Sequence, residues 1–100
     1  MKYKIVSTGR FRRDCKKYGY LLKNGEFKKP LKTALDILAD GGMLDITYED
    51  HKLSGQWKGC REFHVEFDLV CIYKIDQRKL IVETLRLATH HEVFGSEDFA

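Results

Sequence analysis

Residues 61–73 leave this chain few choices. Arg61-Glu62-Phe63-His64-Val65-Glu66 alternates polar and apolar side chains, a period of two that suits an extended strand and no helix. Leu69-Val70-Cys71-Ile72-Tyr73 is a continuous β-favouring run, and only Phe67-Asp68 separates the two. A two-residue turn there makes a hairpin in which Val65 faces Val70, His64 faces Cys71 and Phe63 faces Ile72. One face is then wholly apolar (Phe63, Val65, Val70, Ile72), and the other carries Glu62, His64, Glu66 and Tyr73. Polar-outward alternation is also what any half-exposed antiparallel strand shows, so one outward histidine says little by itself. Asp50-His51 upstream and His90-His91 downstream add further imidazoles.

The N-terminal half reads as a strand and two helices. Lys2 to Val6 alternates, with Tyr3 and Ile5 on one side, and Ser7 or Thr8 is suited to cap a helix by accepting a backbone N–H. Phe11, Cys15 and Tyr18 then recur at helical spacing, with Arg12, Arg13, Lys16 and Lys17 mostly off that stripe. Pro30 is tolerable only in a first helical turn, so a second helix starts near Glu26 to Lys29. Its stripe is Leu31, Ala34, Leu35 and Leu38, and Asp40-Gly41-Gly42 stops it. Gly55 and Gly59 mark a loop that Trp57 anchors, and Asp76-Gln77-Arg78 is a turn. Leu80 to Leu87 is a further strand; its register against residues 69–75 is open by one, with apolar Val82 preferred over Glu83 as the inward residue. The expected fold is α+β, with an N-terminal strand and a two-helix hairpin packed on an antiparallel sheet of about four strands.

One hundred residues suit a single domain, taken as 1–100. No apolar run approaches the ~20 residues that span a bilayer, and the first residues lack a signal-peptide pattern, so no membrane contact and a cytoplasmic location are expected. Cys15, Cys60 and Cys71 are odd in number and form no C-x-x-C pair, which points to free, buried thiols. The net charge of +3 is lopsided: residues 1–32 carry +9 and the remainder −6. The basic half is a candidate for contact with a polyanion, or simply a solvated helix surface.

Cutting RNA without a metal needs a base for the 2′-hydroxyl, an acid for the 5′-oxygen, and groups that stabilise the crowded phosphorane. Histidine serves both proton roles near neutrality because its unperturbed pKa is ~6.5. His51, His64 and His90 are available, with Asp68 to orient an imidazole and Arg61 or Arg86 to face phosphate.

The run D-H-x-L-x-G-x-W-x-G-x-R-E-x-H-V-x-x-D from Asp50 to Asp68, then I-Y-K at 72–74 and R-x-x-T-H-x-x-x-F-G from Arg86 to Gly95, resembles the YafQ-type toxins of bacterial toxin–antitoxin modules. These belong to the RelE/ParE superfamily of ribosome-dependent messenger-RNA endoribonucleases. The resemblance implies a RelE-like fold, a cognate antitoxin, and the ribosome with its mRNA as targets. It implies acid/base and stabilising roles for His51, His64, Asp68 and His90 and substrate contacts for Glu62 and Phe94, while the +9 of residues 1–32 points to Arg12, Arg13, Lys16 and Lys17 as rRNA contacts. Neither which histidine is the base nor the codon preference follows from it.

The chain departs from the family pattern in having Glu62 where many relatives have Asp, Phe67 where they have Pro, and Ala88 where glycine is usual. His91 is an addition read as exposed and idle. Two other readings stand beside the nuclease. His51, His64, His90 and Asp68 are possible zinc ligands, but the spacing lacks the local i, i+3 or i, i+4 pair of most zinc enzymes, so no metal or cofactor is expected. A non-catalytic binding module such as a ParE-like toxin is the other, and that branch lacks this histidine set.

Overall fold

The computed structural model describes residues 1–95. Its order is β1 (Lys4–Ser7), α1 (Gly9–Lys17), α2 (Lys29–Ala39), β2 (His51–Lys52), β3 (Arg61–Glu66), β4 (Leu69–Asp76), β5 (Ile81–Thr89) and α3 (His90–Phe94). Short 3-10 turns over Ile46–Tyr48 and Gly55–Trp57 flank β2. Thr8 caps α1 by accepting from the Phe11 N–H, and Pro30 sits in the first turn of α2, as expected.

The sheet corrects the expectation of about four antiparallel strands. Among the described residues it has five, in the order β1-β5-β4-β3-β2, and β1 runs parallel to β5. The helices carry the chain from β1 at one edge to β2 at the other, and parallel neighbours need such a long connection. On one side of the sheet lie Phe11, Cys15, Leu31, Ala34, Leu35 and Leu38 of the two helices, against Tyr3, Phe63, Cys71, Tyr73, Val82 and Leu87. Val82 is the inward residue of β5, paired beside Ile75.

The hairpin register differs from the expected one by a single residue. The two-residue turn is present, with Glu66 opposite Leu69. Between Glu66 and His64 the register shifts, leaving Val65 as an extra residue on β3. Beyond that bulge His64 faces Val70, Phe63 faces Cys71 and Glu62 faces Ile72. A slip of one residue exchanges the faces of the whole partner strand. Val70 and Ile72 therefore lie on the side of Glu62 and His64, while Cys71 and Tyr73 join Phe63 on the helix side.

The second side of the sheet is covered too. The loop from Leu53 to Cys60 and the short α3 lay Leu53, Trp57, Cys60, Val93 and Phe94 against Ile72 and Ala88. Gly55 and Gly59 both take positive φ in that loop, and the Leu53 N–H closes it on the Cys60 carbonyl at 2.9 Å. Trp57 is the loop anchor that the sequence suggested. Ala88 is an ordinary buried strand residue opposite Val70, so a methyl in place of glycine is accommodated. All three cysteines are free and buried, and burial pushes the Cys15 thiol up to about 12. No helix among the described residues is long and apolar enough to cross a membrane.

One polar residue that the sequence did not single out fixes α1 to the sheet. β1 ends at Ser7 opposite Thr84, so among the described residues no strand pairs the outer edge of β5 from Leu85 onward. Thr8 Oγ1 donates to the Thr84 carbonyl at 3.0 Å, and the buried Asp14 accepts from the Leu87 N–H at 2.9 Å. The helix thus supplies partners that a strand would have given.

Candidate active site

Each imidazole is delivered by a different local device. Glu49 ends the 3-10 turn in a left-handed conformation, φ 52° and ψ 40°, unusual for a residue with a side chain. That conformation places its carbonyl 2.8 Å from His51 Nδ1. A carbonyl only accepts, so Nδ1 carries the hydrogen, and Nε2 is left 3.2 Å from Glu62 Oε2. His51 and Glu62 are register partners across β2 and β3, so their side chains share a face.

His90 stands at the first position of α3, directly after the cap. Thr89 accepts from the Glu92 N–H, and the Glu92 carboxylate accepts from the Thr89 N–H at 2.9 Å, a reciprocal capping box. Glu92 also takes Lys17 Nζ at 2.7 Å and the Tyr18 hydroxyl, both from the end of α1. The Lys17 hydrogen bond, the Thr89 N–H and Tyr18 together hold the Glu92 carboxyl down at about 2. α3 is thereby tied to α1, and His90 is aimed inward with its Nε2 2.9 Å from Glu62 Oε2.

Glu62 is the hub. It is fully buried, and one of its oxygens meets an imidazole from each side, His51 and His90. A buried carboxylate is expensive unless paired; His90 Nε2 hydrogen-bonds it, while His51 Nε2 stands 3.2 Å away with no hydrogen bond among the described residues. Its other oxygen, Oε1, is buried and has no hydrogen-bond partner. Glu62, expected as a substrate contact, has no exposed surface in this structure, and its carboxylate faces His51 and His90.

The remaining residues gather round His90. Asp68 Oδ1 lies 3.5 Å from His90 Nδ1, and the Asp68 side chain is half-exposed. The His64 and His90 rings meet edge to face with centroids 5.3 Å apart, and Phe94 lies 5.7 Å from the His90 ring. His64 makes no hydrogen bond or ion pair among the described residues. His51, Glu62, His64, Asp68, His90 and Phe94 thus form one cluster, while His91 points to solvent.

The two arginines expected to face phosphate are held elsewhere. Arg61 shares a sheet face with Phe63, and its Nε is 3.2 Å from Asp50, which also accepts the Tyr73 hydroxyl at 2.9 Å. Burial and that carboxylate push the Tyr73 phenol well up, so it stays a donor. Arg86 Nε lies 2.8 Å from the buried Asp14, and its side chain is largely covered. Arg61 thus pairs with a part-buried aspartate and Arg86 with a buried one. Of the basic residues on α1, Lys17 belongs to the Glu92 anchor, whereas Arg13 and Lys16 are exposed and make no ion pair among the described residues. The Thr89-x-x-Glu92 spacing was a readable sign of α3; nothing in the sequence marked Glu49 or Asp14.

The model of the family described as "Bacterial toxin of type II toxin-antitoxin system, YafQ" matches residues 3–95. The chain belongs to the YafQ toxin family. It is 35% identical over 92 residues to the mRNA interferase toxin YafQ of Escherichia coli (strain K12), covering 91% of this chain and 95% of that one. YafQ in the solved E. coli DinJ-YafQ complex superposes with a TM-score of 0.75 at 32% identity, covering 93% of this chain and 99% of that one. A metal-bound toxin from Helicobacter pylori superposes with a TM-score of 0.79 at 33% identity, covering 92% and 99%. The RelE-like fold expected from the YafQ resemblance is therefore the one present, with one more strand than anticipated.

Proposed function

We propose that the chain is the toxin of a toxin–antitoxin pair and cuts messenger RNA on the ribosome by metal-independent acid/base catalysis. The observation that carries this reading is Glu62, a buried carboxylate holding two imidazoles beside a third on one accessible surface. The 2′-oxygen attacks the adjacent phosphorus, the P–O5′ bond breaks, and a cyclic phosphate remains on the upstream fragment. His64, whose ring nitrogens make no hydrogen bond or ion pair among the described residues, takes the 2′-hydroxyl proton. His90 lies between the Glu62 and Asp68 carboxylates, with its Nε2 toward Glu62 and its Nδ1 toward the exposed Asp68. It gives that Nδ1 proton to the leaving 5′-oxygen. His51, its Nδ1 hydrogen held by the Glu49 carbonyl and its Nε2 opposite Glu62, completes the set of imidazoles, and Phe94 helps place the nucleotide. A cytoplasmic setting and a cognate antitoxin belong to this reading, since an unrestrained mRNA nuclease halts its own cell.

Purified protein, purified ribosomes and a defined mRNA test it. Cleavage is expected to continue in a chelator weak enough to leave ribosomal magnesium in place. Cleavage that stops in chelator and returns with zinc would overturn the acid/base reading.

The exposed cations of α1 are the ribosome contact in this proposal. Replacing Arg12, Arg13 and Lys16 together with glutamine is expected to lower ribosome co-sedimentation several-fold and flatten its salt dependence, without a change in melting. Lys17 is left intact in this variant because its loss would release α3. Unchanged association would make these residues a solvated surface.

A second reading concerns a metal. Ligand atoms of Glu62, His64 and His90 all lie within 4.8 Å of one another, and solved toxins from H. pylori are described as metal-bound and, in a mutant form, as copper-bound. Tetrahedral ligation would draw such atoms to about 3.3 Å apart, a modest side-chain adjustment. An ion held there would occupy the imidazoles that move protons. It is therefore assigned an inhibitory role, seen as loss of cleavage on adding zinc or copper and recovery with chelator.

A further inference from the structure

A groove of about 250 Å³ opens beside the histidine cluster, between the Ile46–Tyr48 turn and the β3–β4 turn. It is lined by Thr47, Glu49, His64, Val65, Glu66 and Phe67. Phe67 is 96% exposed at the tip of the hairpin. A lone exposed apolar side chain needs no explanation in general. This one shares the groove with His64, whose imidazole makes no hydrogen bond or ion pair among the described residues.

The polar groups of the groove select its occupant. No lysine or arginine is among the lining residues, and Glu49 and Glu66 repel phosphate, so the nucleic-acid backbone has no place inside. Glu66 already accepts the Tyr20 hydroxyl. Thr47 gives its hydroxyl proton to Asp45, which leaves Oγ1 only lone pairs to offer. The Glu49 carboxylate makes no hydrogen bond among the described residues and is likewise an acceptor. The groove thus combines an aromatic face with two acceptors. An exocyclic amine on a purine or on cytosine complements them; uracil brings two carbonyls and a single ring N–H.

We propose that this groove is a base-recognition subsite, in which a nucleotide flanking the scissile phosphate stacks on Phe67 and donates from its amine to Glu49 and Thr47. The inference rests on the nuclease reading above and specifies which nucleotides that nuclease accepts. Stacking on an aromatic side chain is tolerant of sequence and supplies binding, whereas the acceptors supply discrimination. Glu49 then acts twice, its carbonyl setting His51 and its side chain reading the base.

The test first maps the cleavage position on ribosomes, then places each of the four bases on either side of it. At one of the two positions, adenine, guanine and cytosine are expected to be cleaved about tenfold faster than uracil. Phe67→Ala is expected to lower single-turnover kcat/KM about tenfold for all four bases, and Phe67→Trp to retain the wild-type value. Glu49→Gln is expected to shrink the preference over uracil. A cleavage-blocked mRNA, with a 2′-deoxy sugar at the attacking position and 2-aminopurine at the preferred nucleotide, gives a readout independent of activity. Its fluorescence is expected to be quenched by the wild type and released by Phe67→Ala. If Phe67→Ala keeps both the rate and the quenching, the proposal is overturned and the groove is left to a protein partner. If the wild type does not cut mRNA on ribosomes at all, the nuclease reading fails first and takes this inference with it.

Discussion

His64→Ala is expected to lower single-turnover mRNA cleavage by at least ~100-fold, the lower bound for removing a proton-transfer group. The fold is expected to be almost indifferent, with a stability change within the ~0.5 kcal/mol typical of surface substitutions. The reason is positional. His64 is only partly buried, packs against the His90 ring, and holds no hydrogen bond or ion pair among the described residues. Its loss leaves the Glu62 bridge to His51 and His90 in place, so the residual site is intact but lacks the base proposed above. Thermal melting and single-turnover cleavage of one preparation decide the matter. A variant that unfolds while its folded fraction cuts normally would make His64 a packing residue and no catalyst.

Phe63→Ala, one residue away, is expected to do the reverse. Phe63 is fully buried on the helix side, tilted against Tyr73 with centroids 5.7 Å apart and edge-on to Tyr48 at 6.0 Å. Truncating a buried phenylalanine removes its transfer energy and leaves a cavity, together about 3–5 kcal/mol. Set against the ~5–15 kcal/mol of a whole domain, that is a large part of the total. Urea unfolding should show a much lower midpoint at unchanged slope, since the surface exposed on unfolding is nearly the same. Phe63→Leu should recover much of the loss by refilling the volume. A loss below ~1 kcal/mol would contradict the packing of the helices on this face.

The opposite fates of these neighbours were legible before any coordinates, because alternation alone sends adjacent strand residues to opposite faces. Also legible were the two helical stripes, the Thr8 cap, Pro30 in a first turn and the two-residue reversal at Phe67-Asp68. The resemblance over residues 50–95 marked the histidines and Asp68, and the structure gathers them with Phe94. What it marked less well were the charged residues beside them. Glu62 reads as an outward acid from its parity, yet it is buried; Arg61 and Arg86 read as phosphate ligands, yet each is committed to an aspartate. A charge in the sequence carries no statement of which opposite charge it will meet, and here the partners are 11 and 72 residues away.

By itself the sequence determined everything that depends on neighbours along the chain: the period of each element, its caps and turns, and the dispatch of adjacent strand side chains to opposite faces. The tertiary structure decided what depends on distant segments. The bulge at Val65 is marked by no residue type, yet it exchanges the faces of β4 and carries Tyr73 into the helix-side core. β1 lies parallel to β5 because the two helices return the chain across the sheet, a pairing that local pattern does not specify. Glu62 is a buried bridge rather than a surface acid because the 53–60 loop and α3 close over its face. Burial of a polar group is set by what covers it, and the covering segments are brought in only by the fold.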